Sequence, residues 1–152
     1  MTAKLDPFAA APALMKAWMV LSNTANGSLD PTIAELVKIR ASQINQCANC
    51  INMHTLDARA LGETEARINL IAAWREAPYY SERERAALAW TEALTRLSEG
   101  HQQQSAYDAL AAHFTPEEQV ALTLLINVIN GWNRIAVGLG LWMDYKPAKA
   151  AA

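Results

Sequence analysis

Residues 30–62 read DPTIAELVKIRASQINQCANCINMHTLDARALG, and the reading of this stretch decides both the fold class and the chemistry. Asp30-Pro31 is a helix start, with aspartate as N-cap and proline in the first turn. Ile33, Leu36, Val37, Ile39 and Ile44 follow at helical intervals, and the helix is expected to end near Asn45. A further helix begins in the cysteine segment and is closed by Gly62. Cys47 and Cys50 stand three apart and His54 follows four residues later, so on a helix all three share one face at 3.6 residues per turn. They include the only two cysteines of the chain.

The same helical signals extend in both directions. A helix is expected from about Pro12 to Ser22, ending in the turn-rich run from Asn23 to Ser28. After Gly62, one covers roughly Thr64 to Trp74, with Pro78 in the connection that follows. Ser81 and Glu84 form a capping box for a helix to about Leu97, and a short helix fits Ser105 to Phe114. Thr115 and Glu118 form a second capping box, with Pro116 at the first helical position of an apolar helix reaching Gly138. Strand alternation and hairpin dipeptides are absent, as is any internal repeat. The expectation is an all-α, single-domain bundle of about six to seven helices spanning residues 1–152, with a frayed tail over 146–152.

Composition narrows the function classes. A chain of 152 residues, 52% hydrophobic and 18% charged, can bury a substantial core. Thirteen basic and fifteen acidic residues give a formal charge of -2 with no long basic tract, so nucleic acid is not an expected partner. Asn127, Asn130, Asn133 and Arg134 interrupt the last apolar helix, so it reads as a core or interface helix, not a membrane span. Its asparagines are expected to bond to a neighbouring helix or subunit. Asp6, Pro7 and Lys16 break any secretory signal pattern, which points to a cytoplasmic protein. In that setting two cysteines read as catalytic or metal-binding, not as a structural staple.

Paired thiols with a nearby base suit redox chemistry. A free cysteine with a pKa near about 8.5 is mostly protonated at neutral pH, and a helix N-terminus favours its thiolate. Cys47, Cys50, His54, Ala58 and Leu61 project within one arc, expected to face the core. Asn49, Asn52, Thr55 and Arg59 fall on a polar side. His54, one turn from Cys50, can accept its proton or deliver one to a leaving oxygen. Glu35, on the preceding helix, is the candidate acid to orient that imidazole; the other reading of Glu35 is a surface carboxylate paired with Lys38.

Glu35 followed by Cys47-x-x-Cys50-x-x-x-His54 resembles the signature of the alkyl hydroperoxidase D (AhpD) and carboxymuconolactone decarboxylase superfamily. The resemblance covers residues 30–97 most strongly, and it implies an all-helical fold assembling as homo-oligomers, trimers or hexamers. Carried over by position, it implies Cys50 as the peroxidatic thiol, Cys47 as the resolving thiol, and His54 with Glu35 as a proton relay. It also implies a hydroperoxide substrate and an external dithiol reductant, dihydrolipoyl or thioredoxin-like, on a partner protein, with no bound cofactor and no metal. Two departures stand out: Asn49 occupies the position before the second cysteine where AhpD has histidine, and the motif comes early in the chain. The decarboxylase branch lacks this cysteine pair as a defining feature, so lactone decarboxylation is not expected.

Other readings of the same residues remain open on sequence alone. The cysteines and His54 could bind zinc with Glu35 as fourth ligand, although no second ligand pair exists. They could be inert core cysteines, or a redox sensor in an oligomeric binding protein. His101 and His113 read as ordinary, and Trp18, Trp74, Trp90, Trp132 and Trp142 as core or subunit-interface residues.

Overall fold

A computed structural model describes residues 3–100 and 103–147. The expectations for His101 and for the tail beyond Pro147 lie outside the described residues. Among the described residues eight α-helices follow one another: α1 (Pro7–Ala10), α2 (Pro12–Asn26), α3 (Pro31–Ile44), α4 (Ala48–Ala60), α5 (Glu65–Leu70), α6 (Glu82–Thr95), α7 (Gln103–His113) and α8 (Pro116–Leu139). Short 3-10 turns cover Ile71–Ala73 and Leu97–Glu99, and no strand occurs among the described residues. The all-α class is therefore correct.

The helix starts follow the capping chemistry. Asp30 accepts from the Ile33 N–H at 3.1 Å, and both Ser81/Glu84 and Thr115/Glu118 close reciprocal capping boxes. The ends differ more. α2 runs four residues past Ser22, because its polar side chains bond back along the helix instead of forming a turn. Ser22 Oγ donates to the Trp18 carbonyl at 2.8 Å and Thr24 Oγ1 to that of Val20 at 2.9 Å. The single helix expected over residues 64–74 is divided into α5 and a 3-10 turn. That tighter turn puts Ile71 and Trp74 on one side, where both are buried. The Arg85 guanidinium then satisfies the carbonyls of Trp74, Arg75 and Ala77. α1, a four-residue helix capped by Asp6, was not anticipated.

α3 is the central element. Every residue from Ile33 to Ser42 is buried, because α4, α6 and α8 all pack on it. Ile33, Ala34 and Val37 join a cluster with Leu122, Leu125 and Ile126 of α8. Leu36 and Ile39 meet Ala58 of α4, Ile71, Trp74 and Leu88. Ala41 completes a third cluster with Cys47, Cys50, Ile129 and Ala136. This all-round burial also takes in charges: Arg40 Nε donates to Glu92 Oε1 at 2.7 Å, and Glu92 further accepts from Trp74 and Arg75.

α8 is, among the described helices, the one long and apolar enough to cross a membrane, yet its amides are spent inside the fold. Asn45 Nδ2 donates to both Asn130 Oδ1 and Asn133 Oδ1 at 2.8 Å. Asn130 Nδ2 reaches Thr95 and Asn133 Nδ2 reaches Ser42, each at 3.0 Å. The asparagine stripe thus joins α8 to α3 and α6. Asn127 is exposed and takes no part in this. Four of the five tryptophans are buried or half-buried, whereas Trp142 is 51% exposed on the segment after α8 and is not a core residue.

Two positions carry testable strain or crowding. A Cβ at Gly131 would lie 2.6 Å from the Trp18 ring. Gly131→Ala is therefore expected to destabilise the protein by about 1–3 kcal/mol in urea unfolding, through overpacking. Gln46 sits at φ 56 between α3 and α4, closing a Schellman pair with Gln46 N–H on the Gln43 carbonyl and Cys47 N–H on that of Ser42. Gln46→Gly should raise stability by up to about 1 kcal/mol in the same measurement, since glycine adopts this region without a Cβ clash.

Candidate functional site

The Schellman turn at the end of α3 delivers Cys47 directly to the N-cap of α4. There Cys47 Sγ accepts from the Cys50 N–H at 3.3 Å, a cap usually made by a hydroxyl or carboxylate. Cys47 and Cys50 are joined as a disulfide, and both are buried, with Cys47 1% and Cys50 4% exposed. The core-facing arc expected for α4 holds for Cys47, Cys50 and Ala58. It fails at Leu61, the C-cap residue, which is 47% exposed because the helix has ended there. It fails in the other direction at Asn49, expected on the polar side but buried beneath the segment that follows α8.

Glu35 projects from the second turn of α3 toward α4. Its Oε2 lies 3.0 Å from His54 Nδ1, while Oε1 accepts from the Lys38 ammonium. Lys38 also donates to Asn26 Oδ1 at 2.6 Å. Glu35 thus contacts both His54 and Lys38, in a buried cluster and not at the surface. Burial by itself would push the Glu35 carboxyl up. The His54 hydrogen bond, and the charges of Lys38 and His54, outweigh this and hold it below its ordinary 4.5. An ionised Glu35 can only accept, so Nδ1 is the donor in that contact.

Other groups complete the surroundings, and the sequence reading did not single them out. Asp57, three residues after His54, places Oδ2 3.8 Å from Nδ1, and its Oδ1 accepts from the Tyr145 hydroxyl at 2.6 Å. Burial, then the Asp57 hydrogen bond and charge, push the Tyr145 phenol up to about 12, so it remains a donor. The His-x-x-Asp spacing was a signal available in the sequence; Tyr145, 88 residues from Asp57, was not. Glu35, His54 and Asp57 bring three possible metal ligand atoms within 4.8 Å of one another. Lys38 already pairs with Glu35 in this cluster. The disulfide withdraws both sulfurs from the Cys/His/Glu zinc set considered from sequence.

A cavity of ≈ 320 Å³ opens beside this cluster. Cys50 and His54 line it, and Cys47 does not. Its walls are mostly apolar, with Leu125, Ile129 and Trp132 of α8 and Met53 of α4 among them, while Lys38 and Asn26 mark a polar end.

The all-helical bundle therefore places Cys50, disulfide-bonded to Cys47, and the Glu35-bonded His54 at one cavity. Residues 12–93 match the carboxymuconolactone decarboxylase family, and the chain belongs to that family and is AhpD-like. It is 42% identical over 141 residues to the uncharacterised Bacillus subtilis protein YdfG, covering 92% of this chain and 96% of that one. A solved Agrobacterium tumefaciens protein of unknown function, proposed as an antioxidant defence protein AhpD, superposes with a TM-score of 0.90 at 41% identity. That match covers 95% of this chain and all 100% of the other. The debrominase Bmp8 with bound 2,3,4-tribromopyrrole shares the fold at a TM-score of 0.80, with 18% identity over 90% of this chain and 74% of its own.

The lowered Glu35 carboxyl sets a pH dependence of stability. A carboxyl whose folded value lies below its ordinary 4.5 contributes stability above that pH and loses it as pH falls through the folded value. In Glu35→Gln this component is gone, so urea midpoints measured from pH 6 down to about pH 3 should fall less steeply than in the wild type.

Proposed function

We propose that the protein is a thiol-dependent hydroperoxide reductase in which Cys50 attacks and Cys47 resolves. The observation that carries this reading is the asymmetry of the pair. Cys50 faces the cavity together with His54, and Cys47 is turned into the core as the N-cap of α4. The family membership and the Agrobacterium relative support it.

In the reduced protein the Cys50 proton passes to a base, and the N-terminal turn of α4 favours the thiolate. Its sulfur attacks the terminal peroxide oxygen: the S–O bond forms, the O–O bond breaks, and the electron pair leaves on the alkoxide. His54, held through Nδ1 by ionised Glu35, manages the proton that converts the alkoxide to alcohol. Cys47 then attacks the Cys50 sulfenic sulfur, forming the disulfide and releasing water. An external dithiol, dihydrolipoyl or thioredoxin-like, restores both thiols by exchange. The largely apolar cavity suits alkyl hydroperoxides. A cytoplasmic setting and a homo-oligomeric assembly belong to the same proposal; the exposed apolar side chains Leu14, Val20 and Leu21 on α2 and Val120, Leu124 and Val137 on α8 favour the latter.

The test is hydroperoxide consumption by purified protein with dihydrolipoamide as reductant. Cys50→Ser should bring turnover to background, and His54→Ala should lower it by about 10²-fold. Without added dithiol, Cys47→Ser should consume one equivalent of peroxide and hold a Cys50 sulfenic acid that dimedone traps. Dimedone labelling at position 47 in Cys50→Ser, or a wild type that forms its disulfide without turning over, would overturn the assignment.

A further inference from the structure

After α8, residues 141–147 return across the site. Gly140 adopts φ 67, and the Leu141 N–H bonds to the Ala136 carbonyl at 2.8 Å, which turns the chain back at the end of α8. Residues 141–147 have no regular structure of their own. They are fastened to α4 at two points. The Met143 N–H donates to Asn49 Oδ1 at 2.8 Å, and the Tyr145 hydroxyl donates to Asp57 Oδ1 at 2.6 Å. Between the start of this segment and its second fastening, Leu141 and Met143 enter the wall of the cavity that Cys50 and His54 line.

We infer that residues 141–147 are a strap forming one wall of this cavity, that Met143 determines how bulky a molecule reaches Cys50, and that Asn49 is the latch holding it. The amide is suited to both of its contacts. Its oxygen accepts from the strap backbone, while Nδ2 reaches Met53 Sδ, on another cavity residue, at 3.5 Å. A half-exposed methionine is a flexible wall, so it is the strap's hydrogen bonds that give the opening a defined size. On this inference compact alkyl hydroperoxides reach Cys50 with Met143 in place, whereas a branched aryl hydroperoxide reaches it only when Met143 moves aside. The choice of substrate class rests on the peroxidase reading; the strap and its latch do not.

The experiment separates the two. In a Cys47→Ser background Cys50 is the only thiol, and its alkylation is followed with iodoacetamide and with the bulky fluorescein-5-maleimide. Met143→Ala and Asn49→Ala should each raise the maleimide rate about tenfold while changing the iodoacetamide rate less than about twofold. Asn49→Asp retains the acceptor for the Met143 N–H and should keep the wild-type ratio of the two rates. Equal responses to both reagents, or none, in Met143→Ala and Asn49→Ala proteins with unchanged far-UV circular dichroism would overturn the strap. In turnover with both cysteines present, the same two substitutions should raise kcat/KM for cumene hydroperoxide over that for ethyl hydroperoxide by about tenfold. Loss of all hydroperoxide turnover in the wild type would remove the peroxidase reading, and the alkylation ratio would still decide whether the strap gates Cys50.

Discussion

The buried carboxylate of Glu35 is the constraint around which the site is assembled. A charge taken out of water is tolerable only if its partners replace the lost hydration, and Glu35 has two: the Lys38 ammonium on its own helix and His54 Nδ1 on the next. Because the acceptor sits on α3 and the imidazole on α4, satisfying the charge fixes how these helices face each other. The same contact chooses which imidazole nitrogen carries hydrogen. Removing the carboxylate would leave Lys38 buried without its counter-charge.

The position of α3 makes such a group possible. A helix packed by α4, α6 and α8 has no solvated face on which to keep its charged residues, so Glu35, Lys38 and Arg40 must each find a partner inside the fold. Glu92 answers Arg40, and it draws in Arg75 and Trp74. Ser42 and Asn45 at the far end of α3 take up the amides of α8. α3 is thus a hub whose buried charged positions are matched one by one.

A shared fold does not settle the reaction. Bmp8, a debrominase, is built on the same arrangement at low identity, so the case for peroxide chemistry rests on the local asymmetry of the cysteine pair and not on the bundle. That asymmetry arises from the α3–α4 junction. A Schellman turn with Gln46 in the left-handed region makes Cys47 the N-cap and therefore turns its sulfur inward, whereas Cys50, one turn on, borders the cavity.

The all-helical class, most helix starts and the grouping of Cys47, Cys50 and His54 were legible in the sequence, because capping and face-sharing are local properties set within about four residues. Helix ends were less so. The polar run after Ser22 had a turn composition but stayed helical through side-chain bonds to its own backbone, and residues 71–74 tightened to bury Ile71 and Trp74. Glu35 was legible as a candidate, but its neighbours were not: Lys38 looked like a surface partner, and nothing local joined Asn49 to Met143 or Asp57 to Tyr145. Those contacts bridge 94 and 88 residues. They exist because Gly140 turns the chain back over α4, and such long-range pairings depend on where the whole chain packs, which no spacing between neighbouring residues encodes.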